Sequence, residues 1–187
     1  MNLPNKLTLF RVLLIPVFLI FLINPMGMDQ RAVRYIATAI FCIASVTDWF
    51  DGFFARKYNL VTNFGKFMDP LADKLLVCSA MIALIGKTDA VVPLPSVVVI
   101  IIIAREFAIT GFRTIAAEKN VVIAASWWGK SKTVSQMIMI ILLLLNFNVK
   151  FFEAISTIMI CVSVLLTIIS ALDYFSKNWK VLKDETK

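Results

Sequence analysis

Four aspartates carry the chemistry legible in this sequence. Asp48, Asp51, Asp69 and Asp73 fall within residues 45–77, SVTDWFDGFFARKYNLVTNFGKFMDPLADKLLV, and make up four of the chain's twelve acidic residues. Each stands close to a strongly apolar run. A carboxylate in such a place is costly unless it is paired or bound to a metal.

Spacing groups them. On a helix, Asp48 and Asp51 are one turn apart and share a face with Gly52 and Ala55, whose small side chains let a ligand approach the backbone. Gly65, Asp69 and Asp73 recur every four residues and line one face of the next helix. Pro70 is best tolerated in a first turn, so that helix is expected to begin only a few residues before it. The short segment 55–66 makes the two helices antiparallel neighbours, and their acidic faces can meet. Four carboxylates in one cleft repel. Two divalent cations would cancel that charge, and oxygen ligands select Mg2+, Mn2+ or Ca2+ over zinc. Such a pair can clamp a diphosphate, with Arg56 and Lys57 at the same edge to contact it. The alternative is that the acids pair with Arg56, Lys66 and Lys74 as salt bridges at a membrane edge. The chain has no histidine, which excludes His-ligated zinc and a histidine base.

The elements that must position these residues are apolar helices. The chain has 187 residues, 60% hydrophobic and 17% charged, outside the range of soluble domains. We expect an all-α, polytopic bundle of six transmembrane helices, over residues 7–23, 33–54, 67–86, 91–112, 133–148 and 151–173, in a single domain 1–187. The first span follows a basic start but no small-residue cleavage site follows it, so it is kept as structure. Cys42, Cys78 and Cys161 lie inside apolar runs and read as reduced packing residues.

Six spans put both termini on one side. The linkers 24–32, 87–90 and 149–150, with nearby span ends, carry Arg31, Arg34, Lys87 and Lys150, which leaves 15 of 19 basic residues (19 − 4) on the other side. That side is expected to be cytoplasmic, so the polar cleft faces the cytosol. Residues 176–187 form a basic cytosolic tail, with Trp179 as an interface anchor and Trp127 and Trp128 as anchors for the fifth span. The net charge of +7 therefore points to anionic membrane lipids and not to nucleic acid.

The stretch resembles the CDP-alcohol phosphotransferase family. Its signature is D-x-x-D-G-x-x-A-R, about eight residues, then G-x-x-x-D-x-x-x-D, and Asp48, Asp51, Gly52, Ala55, Arg56, Gly65, Asp69 and Asp73 fill every fixed position. The segments NLPNKLTLFRVLLIPVF, NLVTNFGKFMDPLADKLL, AREFAITGFR and GKSKT are similar to bacterial members that use glycerol 3-phosphate. The resemblance implies two divalent cations, Mg2+ or Mn2+, with Asp48 and Asp69 bridging both, Asp51 completing one site and Asp73 the other. It also implies that Asp73 takes the proton from the attacking hydroxyl. Asn5, Thr8, Gly52, Ala55, Arg56, Thr62 and Gly65 would hold CDP-diacylglycerol. The implied reaction is transfer of its phosphatidyl group to glycerol 3-phosphate at the bacterial inner membrane. Another acceptor, such as inositol phosphate or serine, is the nearest alternative. An ion transporter built on the same acids is a more distant one.

A charged acceptor is also legible from the residues. Arg105 and Glu106 interrupt the apolar run that starts at Val91, and Arg113 lies eight residues on, about 80° round the same helix. Arg105, Arg113 and Lys130 could converge on a phosphate, for which guanidinium groups are suited. Alternatively, Arg105 pairs with Glu106, and Lys132 marks the membrane edge. Asn5, Thr8 and Arg11 form either a polar stripe facing the cleft or ordinary capping and anchoring groups. Ser156, Ser163, Thr167 and Ser170 favour close helix packing and could serve a homodimer.

Overall fold

The computed structural model describes residues 3–24, 27–57, 63–119, 121, 123–124 and 126–179, and within these the side chains of 3–4, 49–57, 63–64, 66–67 and 69–70 are not described. Six helices follow one another: α1 (Leu3–Ile23), α2 (Gln30–Lys57), α3 (Asn63–Leu84), α4 (Ser96–Glu118), α5 (Trp127–Leu145) and α6 (Lys150–Asn178). No strand occurs among the described residues. All-helical structure is what an apolar environment demands, because each helix satisfies its own backbone hydrogen bonds. Three described helical stretches are long and apolar enough to cross a membrane: Asn5–Ile23, Trp127–Leu145 and Lys150–Asn178. The other three helices carry the charges of interest, among them Asp48, Asp73, Lys74, Arg105, Glu106 and Arg113.

α1 packs on both α2 and α3, α5 on α6, α4 on α6, and α2 and α3 each touch α5. One apolar core joins them, with Phe18, Phe41, Leu76, Met81, Ile102, Met139, Ile140 and Leu144 almost fully buried. Phe18 and Phe41 meet at 6.1 Å between ring centroids, tying α1 to α2.

Two local expectations change. Helix α3 starts at Asn63, so Pro70 lies well inside it and not in its first turn. A proline there forfeits one backbone bond, which is tolerated when neighbouring polar groups or water satisfy the freed carbonyl. Ser156, Ser163, Thr167 and Ser170 are all buried within the chain, where α6 packs on α5 and α4. Gln136 of α5 donates to Thr167 at 3.1 Å. That stripe is consumed inside the protomer, so it supplies no dimer face. All three cysteines are free thiols, with Cys161 exposed and Cys42 and Cys78 half-buried. Trp127, Trp128 and Trp179 are exposed, and Trp127 opens α5 six residues ahead of the expected span (133 − 127).

At the end of α2 away from Asp48, a polar clasp joins three segments. Arg34 pairs with Asp89 at 2.7 Å and donates to the Leu143 carbonyl at 3.2 Å. Asn146 ends α5 in the left-handed conformation (φ 50°), accepts from the Val91 amide at 2.8 Å and donates to the Asp89 carbonyl at 2.9 Å. Partial burial pushes the Asp89 carboxyl up, but the hydrogen bond and charge of Arg34 outweigh it and hold the group below the ordinary range. A depressed carboxyl contributes stability that is present above its unfolded value and lost as pH falls through its folded value. Arg34→Gln should therefore lower stability by roughly 1–3 kcal/mol near neutral pH. Thermal melting in detergent should show the gap to wild type narrowing below the ordinary carboxylate range. A gap that widens on acidification would contradict the clasp.

Candidate active site

The N-terminal helix builds the first wall. Asn5, Thr8 and Arg11 are all buried, so the polar stripe on α1 faces inward. Arg11 is wholly enclosed, donates from Nε to the Ala44 carbonyl at 3.2 Å and pairs through Nη1 with Asp48 Oδ1 at 2.6 Å. A buried guanidinium needs such a partner, and the partner here is the first aspartate of the acidic pattern. Thus α1 holds α2 in register at the point where the chemistry begins.

Asp73, on α3, lies in electrostatic reach of both Asp48 and Arg11 on one side and of Lys132 and Glu106 on the other. The faces of α2 and α3 carrying Asp48 and Asp73 do come together, as their spacing predicts. The backbone of Asp51, Gly52, Ala55 and Arg56 is helical in α2, and that of Gly65 and Asp69 in α3; Gly65 is buried. The side chains of Asp51, Ala55, Arg56 and Asp69, and Thr62 as a whole, lie outside the described residues, as does the tail beyond Trp179.

A cavity of about 400 Å³ opens beside Asp73 and is lined by Lys74, Arg105, Glu106, Thr110, Arg113, Lys130, Lys132 and Tyr174, among others. Arg105, Arg113 and Lys130 thus share one cavity, as the sequence suggests. The lining carries Lys74, Arg105, Arg113, Lys130 and Lys132 against Asp73 and Glu106, an excess of three positive charges (5 − 2). The start of α5 also lines it: Ser126 caps the helix by accepting from the Gly129 amide at 3.1 Å. A helix N-terminus adds a partial positive charge.

Two features of this cavity go beyond the sequence reading. Lys132 does not mark a membrane edge: it is buried and ion-paired with Glu106. Glu106 also holds Arg105 at 3.2 Å, so the local pairing of Arg105 is real and coexists with its place in the cavity. Lys74 donates to Thr110 at 2.7 Å, which ties α3 to α4. The signal available in the sequence was a glutamate set within an apolar run and a lysine just before one. Without the fold, nothing showed that they meet.

The cavity therefore has an acidic end at Asp73, beside Asp48, and a cationic end on α4 and α5. The donor set at the acidic end is all carboxylate, on two helices that pack together, and this chemistry fits hard divalent cations. Among the described residues, no three acidic or cysteine side chains gather as a ligand set, and Asp51 and Asp69 are not among those side chains.

An all-helical, strongly apolar protein thus carries a carboxylate beside a cationic cavity, an arrangement suited to phosphorylated ligands. The family model for CDP-alcohol phosphatidyltransferase matches residues 1–169. The chain belongs to that family. It is 48% identical to a Bacillus subtilis (strain 168) protein named CDP-diacylglycerol–glycerol-3-phosphate 3-phosphatidyltransferase, over 97% of both chains. A Shigella flexneri serotype 5b (strain 8401) protein of the same name is 42% identical over 98% of both, and one from Haemophilus influenzae is 40% identical over 92% of this chain and 91% of its own.

Proposed function

We propose that this chain transfers the phosphatidyl group of CDP-diacylglycerol to glycerol 3-phosphate, yielding phosphatidylglycerophosphate and CMP. The relatives' shared name supports the reaction. The observation that carries the acceptor is the cavity whose cationic wall stands beside Asp73. An anionic alcohol placed there has its phosphate against Arg105, Arg113 and Lys130 and its hydroxyl toward the carboxylates.

In this reading Asp48, Asp51, Asp69 and Asp73 hold two divalent cations, Mg2+ or Mn2+. When bound, those cations neutralise the diphosphate and polarise it toward attack. The chain's own residues do the rest. Asn5, Thr8, Gly52, Ala55, Arg56, Thr62 and Gly65 hold the donor. Arg105, Arg113 and Lys130 fix the acceptor's phosphate, so its free sn-1 hydroxyl lies in line. Asp73 accepts the hydroxyl proton. The oxygen bonds to the lipid-side phosphorus, the bond from that phosphorus to the CMP oxygen breaks, and CMP leaves with the electron pair. The net cationic character of the cavity favours a phosphorylated acceptor over serine or free inositol.

We further propose that all six helices cross the bacterial cytoplasmic membrane, with both termini and the cleft on the cytosolic side. The distribution of basic residues supports this orientation. The test supplies radiolabelled CDP-diacylglycerol with Mg2+ or Mn2+ and a panel of acceptors to purified protein. CMP release that depends on glycerol 3-phosphate is expected. Release that prefers serine or inositol phosphate would overturn the acceptor assignment.

A further inference from the structure

Tyr174 is a buried residue near the end of α6, on the wall of the acceptor cavity. It is only 3% exposed, and its hydroxyl is enclosed with no hydrogen-bond partner among the described residues. A phenol hydroxyl in that position is disfavoured, and native proteins rarely leave one so without a reason. The ring is held rigidly: Phe112 meets it edge-on at 5.5 Å between centroids, and Phe175 packs on the same Phe112 at 5.6 Å. The Arg113 guanidinium carbon lies 5.8 Å from the centre of the Tyr174 ring, within the range of a cation–π contact. Arg105, which lines the same cavity, keeps a second buried donor, its Nε, without a partner among the described residues. Two unsatisfied donors on the wall of one cationic cavity describe a site whose hydrogen bonding an anion completes.

We infer that Tyr174 is a specificity-determining residue for the acceptor: its ring steers Arg113 over the cavity, and its hydroxyl donates to the acceptor's phosphate. This deepens the proposed function and rests on that reading. The pairing makes α6, which carries none of the four aspartates, a contributor to acceptor choice. It also divides labour between the two parts of one side chain. The ring acts on Arg113 whether or not ligand is present, and the hydroxyl acts only on ligand.

Tyr174→Phe separates the two. It keeps the ring and removes a hydroxyl that has no partner among the described residues, so the variant should melt no lower than wild type. Its KM for glycerol 3-phosphate should rise about tenfold, the loss of one hydrogen bond to a charged group, while kcat and the KM for CDP-diacylglycerol stay put. Inorganic phosphate, used as a competitor of glycerol 3-phosphate, should inhibit the variant about tenfold more weakly. Tyr174→Leu, which also removes the ring, should raise the acceptor KM further. An unchanged acceptor KM in Tyr174→Phe would overturn the inference, and so would equal changes in the two KM values. If the wild-type protein releases no CMP on addition of glycerol 3-phosphate, the proposed function itself fails. The wild-type control thus separates the two failures.

Discussion

Asp73→Asn should remove turnover while CDP-diacylglycerol still binds. The substitution preserves shape and takes away the one property a general base needs, and such losses run to about 10²–10⁴-fold in rate. The position supports the role. Asp73 lies on the cavity wall beside the cationic residues, and its charge is felt by Asp48 and Arg11 on one side and Lys132 on the other. The measurement is kcat by CMP release together with donor affinity in an equilibrium binding assay. Raising Mg2+ or Mn2+ should not restore the rate. Turnover above a tenth of wild type would take Asp73 out of the base role. Rescue by added cation would assign it to metal binding alone.

Arg113→Ala should raise the KM for glycerol 3-phosphate by about 10–100-fold, with a much smaller change in the donor KM. Guanidinium–phosphate contacts are charge-assisted and geometrically matched, so their removal is felt by the ligand that carries the phosphate. Arg113 is exposed apart from its contact with the Tyr174 ring, and it stabilises no core. Melting temperature should therefore hold. Arg105 offers the contrast. It is mostly enclosed and paired with Glu106, which Lys132 also holds, so Arg105→Ala should cost both stability and acceptor binding. Equal increases in the two KM values of Arg113→Ala would count against a phosphate subsite on this wall.

Much of the chemistry was readable before folding because it is local. The eight fixed positions from Asp48 to Asp73 span two helices joined by a short segment, and helical period groups Asp48 with Asp51 and Asp69 with Asp73. The same locality misled at Pro70, where preference for a first turn gave way to a helix that begins at Asn63. The small polar residues of α6 were recognisable as packing residues, but the partner was another helix of the same chain.

Amino-acid order by itself determined six helices, the acidic pattern and the basic residues available for an acceptor. Those features depend on composition and on spacings of three and four residues, which the chain carries before any long-range contact forms. The tertiary structure decided which distant groups meet: Arg11 with Asp48, Glu106 with Lys132, and Tyr174 beneath Arg113. Those pairs lie on different helices, far apart along the chain. Helix packing fixes their distances, and no local period encodes it.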